Sequence, residues 1–88
     1  MDPQRLIQMA NQIGEFFEAE PDRAAALEGI AGHIKRFWDP RMRLGILKWM
    51  DEHGGEGMRP LVAVVGPVLY LRIAMPIILI WIPRPLKP

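Results

Sequence analysis

The strongest constraint on this chain is where its acids stop. All ten Asp and Glu residues lie before residue 60, and from 60 to 88 the only charged side chains are Arg72, Arg84 and Lys87. Six of the nine prolines crowd into that same stretch. Residues 1–59 carry eight Lys and Arg against ten Asp and Glu, a balance of −2. Two pieces are therefore expected: a helical domain over 1–59 and an apolar, Pro-rich arm over 60–88. At 88 residues there is room for one small domain and no more.

The first piece reads as three helices. Asp2–Pro3 is a start signal, with an acceptor side chain at the N-cap and a proline in the first turn. Leu6, Ile7, Met9, Ala10, Ile13, Phe16 and Phe17 then recur in steps of three and four, one stripe of a helix over about residues 3–19. Pro21 ends it and Asp22 caps the next, expected over about 23–37, with Leu27, Ile30, Ile34, Phe37 and Trp38 as its stripe. Gly29 and Gly32 remove side chains beside that stripe, as a close approach by another backbone would require. Asp39–Pro40 repeats the start signal, and Met42, Ile46, Leu47, Trp49 and Met50 follow before the glycine stop at Gly54–Gly55. The fold class is thus all-α: a small three-helix unit with short loops, then an extended or irregular apolar arm.

The arm is the harder piece. From Leu61 to Ile82 the single charge is Arg72, and the stretch is long enough to span a bilayer. A small single-pass anchor using residues 61–82 is therefore the alternative reading. Pro67, Pro76 and Gly66 interrupt such a helix, and Arg72 at its centre costs about 2.5–3.5 kcal/mol on an insertion scale. The runs between prolines are rich in β-branched residues and fit extended chain as well as helix. Residues 83–88 read as polyproline II. No secretory signal pattern opens the chain, so a cytoplasmic location is expected.

Little in the sequence could perform chemistry. Serine, threonine and cysteine are all absent. Thiolate-held iron–sulfur clusters, Cys-type zinc sites and the common oxygen or sulfur nucleophiles are thereby excluded. His33 and His53 have no second ligand at helical spacing, and they read as surface or helix-end residues. Asp51 and Glu52 are adjacent and do not converge on a helix. No catalytic, cofactor-binding or metal residue is assigned to this chain.

What the sequence has in excess is apolar surface. A core of about this size yields only about 3–5 kcal/mol. Phe16, Phe17, Phe37, Trp38 and Trp49 cannot all face inward in it. The surplus is expected to meet a partner. Lys35, Arg36, Arg41, Arg43 and Lys48 surround Phe37 and Trp38, a mixture found both in single-strand nucleic-acid binders and in protein hot spots. Asp39 interrupts the patch and the unit is acidic, so protein docking is favoured, with Trp38 filling a partner's pocket and Arg41 and Arg43 pairing its carboxylates.

At these residues the chain resembles a family. Met9–Ala10–Asn11–Gln12–Ile13 with Phe16–Phe17 is similar to the opening of the delta subunit of soluble NAD-dependent formate dehydrogenases. Phe37–Trp38–Asp39–Pro40–Arg41–Met42–Arg43 resembles that family's central motif, and Gly54–Gly55–Glu56–Gly57 followed by Pro60–Leu61–Val62 its third. The resemblance implies a non-catalytic accessory subunit that stabilises or helps assemble a cytoplasmic complex oxidising formate to carbon dioxide. In such complexes the other subunits carry molybdenum or tungsten bis-pterin guanine dinucleotide, iron–sulfur clusters and FMN, and they reduce NAD. The partners implied are those larger subunits, the alpha catalytic subunit first among them, with neither nucleic acid nor membrane. The docking residues are then Phe16, Phe17, Phe37 to Arg43, Trp49, Gly54 to Gly57 and Leu61, joined by Arg72 and Trp81 in the arm. Ala63–Pro88 departs from the family pattern, being either an arm lying in a groove of a large subunit or an altered reading frame or chain end.

Overall fold

In the computed structural model, which describes residues 2–73, the elements are α1 (Pro3–Phe17), α2 (Arg23–Phe37), α3 (Pro40–His53), α4 (Pro60–Ala63) and α5 (Gly66–Ile73). The all-α expectation holds. The first three helices begin where an aspartate can take up free backbone N–H groups. Asp2 Oδ1 accepts from the amide of Gln4, Asp22 Oδ1 from Ala24 and Ala25, and Asp39 Oδ1 from Met42. Each such cap contributes about 1 kcal/mol. α3 ends at Gly54, whose φ of +62° a side chain would resist.

The core is apolar throughout. Leu6, Ile7 and Ala10 of α1 meet Ile30, Ala31 and Ile34 of α2 and Ile46 of α3. α1 packs on both α2 and α3, while α5 packs on α2 and α3 and α4 on α1 and α2. Gly14 lets α4 come close, because a Cβ there would overlap a methyl of Val62. At Gly29 the approaching group is the Phe17 ring rather than a backbone, and above Gly32 there is open space.

The expectation of an extended or irregular chain after residue 60 is corrected over residues 60–73. These residues form α4 and α5, and Val62, Val65 and Leu69 are fully buried in the same core as α1–α3. Two physical features explain the difference. Pro60 and Pro67 stand in the first turns of their helices, where a missing N–H costs nothing. Val62 on α4, Val65 in the break between the two helices and Leu69 on α5 all turn into the core, which holds both short helices in place. The alternative of one span over 61–82 is interrupted at the break between α4 and α5, and its residues 74–82 lie outside the described residues. Among the described residues no helix is long and apolar enough to cross a membrane. The readings made for residues 74–88, including polyproline II at the end and docking by Trp81, lie outside the described residues.

Candidate docking surface

The loop between α3 and α4 shows how much of the expected docking set is used within the chain. Asn11 of α1 grips this loop at two points. Its Nδ2 donates to the carbonyl of Gly57 at 3.0 Å, and its Oδ1 accepts from the amide of Arg59 at 2.9 Å. Arg59 then reaches Glu18 at 2.8 Å and Glu15 at 3.6 Å on the same helix. Trp49 Nε1 donates to the carbonyl of Glu56 at 3.2 Å, and its ring stacks on His53 at 3.9 Å. Gly57 has φ +80°, and Leu61 packs half-buried against the core. Trp49, Glu56 and the glycines at 54, 55 and 57 thus shape a loop of this chain's own fold.

The central segment divides in the same way. Trp38 is 5% exposed, so the ring expected to fill a partner's pocket closes this chain's own core instead. The cause is local: Trp38 caps α2 in an extended conformation, φ −89° and ψ 141°, which turns it out of the helical register. Asp39 caps α3, Pro40 occupies its first turn and Met42 packs on the core. Arg43 Nη1 donates to the carbonyl of Lys35 at 3.1 Å and ties α3 to the end of α2. Arg72, of the expected docking set, pairs with Glu28, its Nε 3.1 Å from Glu28 Oε2, and ties α5 to α2.

What stays outward is narrower and better defined. Phe16 is 76% and Phe37 66% exposed, a large apolar area to leave in water. Between α1 and α2 lies a cleft of about 470 Å³ lined by Met9, Gln12, Ile13, Phe16 and Phe17 with His33 and the buried Trp38. Phe16 and Phe17 meet edge to face at 5.1 Å, and His33 lies 4.7 Å from Phe37. A smaller depression shares Phe17 and His33 with the cleft and continues to Glu28, Gly32, Arg36 and Phe37. Lys35, Arg36 and Arg41 are exposed, and none of them is in an ion pair among the described residues.

A second apolar groove, about 930 Å³, runs between α3 and α5 and is lined by Leu44, Leu47, Tyr70, Leu71 and Ile73 with Lys48 and Asp51 at its edge. The sequence reading missed Leu44, Tyr70 and Leu71. The available signal was that Leu44 falls off the α3 stripe and that Tyr70 and Leu71 flank the buried Leu69.

Among the described residues no three His, Asp or Glu side chains gather as metal ligands, and the sequence has no cysteine. Without cysteine the chain offers no thiolate of the kind that holds an iron–sulfur cluster. In comparison with known proteins, the family described as "NADH-dependant formate dehydrogenase delta subunit FdsD" matches residues 5–64. No curated protein and no solved structure matches. The matched segment holds the Phe16–Phe37 cleft, the Asn11 clamp and α4.

Proposed function

The chain belongs to the NADH-dependent formate dehydrogenase delta-subunit family, and on that premise we propose that it is a non-catalytic accessory subunit. Membership implies association with other formate dehydrogenase subunits. Its role in this reading is to stabilise or help assemble a cytoplasmic complex that oxidises formate to carbon dioxide and reduces NAD. The molybdenum or tungsten pterin, the iron–sulfur clusters and FMN belong to the larger subunits, and the alpha catalytic subunit is the expected contact. One observation carries this reading. The Phe16–Phe37 corner leaves two aromatic rings largely exposed on a fold in which, among the described residues, no three potential metal ligands gather, and the sequence has no serine, threonine or cysteine.

The test is to tag this chain, express it with the larger subunits and follow what co-purifies. Wild type is expected to bring down the cofactor-bearing subunits. Phe16→Ser with Phe37→Ser is expected to lose them while the large subunits retain their cofactors. Recovery of the wild-type chain alone, or in a carbonate-resistant membrane pellet, overturns the reading.

A further inference from the structure

The charges beside the Phe16–Phe37 corner specify the partner more closely than its apolar character does. Every Asp and Glu of the sequence falls within residues 2–56, so all carboxylate side chains are among the described residues. Seven of the ten pair with a cation or cap a helix within the chain, Glu28 among them on the wall of the depression that Arg36 also lines. Glu15 and Glu18 pair with Arg59, Glu28 with Arg72 and Glu52 with Lys48, while Asp2, Asp22 and Asp39 cap helices. Lys35 and Arg36 are left in the last turn of α2, and with Gly32 and Arg72 they line one more depression, which shares Gly32 and Arg36 with the one at Phe37. The apolar cleft thus grades, through His33 and Phe37, into Arg36 and then Lys35, neither in an ion pair among the described residues.

We infer that this face binds an acidic amphipathic segment of another subunit, with a large apolar side chain in the cleft over Trp38 and carboxylates paired to Lys35 and Arg36. The inference rests on the accessory-subunit reading above and names the chemistry of its partner. The guanidinium of Arg36 offers a two-pronged donor for a carboxylate, and the cleft can desolvate one or two side chains. A nucleic acid or an anionic bilayer would present an extended field of negative charge. The −2 balance of residues 1–59 opposes that, and only a short local patch of the helix is positive. The α3–α5 groove carries one charge of each sign at its edge, Lys48 and Asp51, and identifies no occupant.

Carbodiimide coupling in the co-expressed complex is the test, because it joins an amine to a carboxylate only where the two touch. Lys35 is expected to couple to a peptide of a larger subunit that contains Asp or Glu beside Leu, Ile, Phe or Met. Lys35→Arg should abolish that coupling while the complex stays assembled. Arg36→Glu should weaken retention of the chain by about tenfold or more, with a steeper loss as salt rises for wild type than for the variant. If the complex assembles but Lys35 couples to nothing and Arg36→Glu is retained as wild type, the inference fails and membership of the complex stands. If the wild-type chain assembles with no subunit, both readings fail together. Sedimentation of the chain with phosphatidylglycerol vesicles, lost in Arg36→Glu while complex retention is unchanged, also overturns the inference.

Discussion

Two regions of this molecule carry apolar side chains in excess, and they divide the excess differently. In residues 60–73 Val62, Val65 and Leu69 turn inward with no exposed surface, while Val64, Tyr70 and Leu71 stay outward. At the α1–α2 corner each of two aromatic pairs is split. Phe16 and Phe17 are neighbours, so about 100° of helical rotation separates them and one seat cannot hold both. Phe17 takes the seat over Gly29 and Phe16 is left outside. Trp38 leaves the helix and swings into the core, and Phe37 stays in the last turn of α2 with its ring in water. The difference teaches that where the backbone sets a side chain, and not hydrophobicity alone, decides which residues the fold absorbs. Val62, Val65 and Leu69 go in together across the break between α4 and α5, and the adjacent Leu6 and Ile7 are both buried, whereas each of the two aromatic pairs is divided.

The largest effect expected from breaking that contrast is at Leu69. Leu69→Ala removes a fully buried side chain that joins α5 to the core, and it should cost about 3 kcal/mol, within the range of about 2–5 for such truncations. A core of about this size supplies little more than that, so a circular-dichroism melt should show the full chain largely unfolded at room temperature. An unchanged melt would mean that residues 66–73 are a surface addition and that the contrast between the regions is false.

Much of the fold was legible in the sequence, for a physical reason. Asp2–Pro3, Asp22 and Asp39–Pro40 state helix starts through groups that act locally, and all three caps form. The stripes of α1 and α2 were equally plain, because their period shows within one element. α4 and α5 were obscured because Pro60, Gly66 and Pro67 read as breaks, although a proline in a first turn is compatible with helix. Trp38 was read as an outward anchor because its burial depends on where the chain turns after Phe37, which no periodicity reports. The candidate surface was legible as far as Phe16 and Phe37. The contribution of His33 and the open floor at Gly32 depend on how α1 lies against α2, and one helix's sequence does not contain that.

The next largest effect tests the loop that delivers α4. Asn11→Ala removes both hydrogen bonds that hold Gly57 and Arg59 and should cost about 2 kcal/mol, read as a lower denaturation midpoint. Hydrogen exchange should rise at the amide of Arg59 before it rises in α2. Equal exchange across both would show that the inward region has no separate anchor.

Two glycines in one helix sharpen the contrast at about 1 kcal/mol and with opposite signs. Gly29→Ala would push a methyl into the Phe17 ring, and the overpacking should outweigh the gain in helix propensity by about 1 kcal/mol. Gly32→Ala meets nothing and should stabilise the chain by up to about 1 kcal/mol. Paired thermal melts give both values. Smaller again is Glu28→Gln, which breaks an exposed ion pair to Arg72 and should cost less than about 1 kcal/mol. That difference should vanish near about 1 M salt. A larger cost would mean that α5 is held by its rim rather than by Leu69.

The smallest expected effect on stability is the most decisive. Phe16→Ser with Phe37→Ser removes two large rings from the surface, one 76% and the other 66% exposed. Groups so exposed give up little water on folding, so the melt of the full chain should move by no more than about 0.5 kcal/mol. Sedimentation velocity should at the same time show less self-association, because the exposed apolar area has shrunk. A substantial loss of stability would mean that Phe16 and Phe37 hold α1 to α2 as Leu69 holds α5, and the two regions would then differ only in degree. A neutral melt together with lost retention of the large subunits would separate them by kind: one region's apolar residues serve the fold, the other's serve a contact outside it.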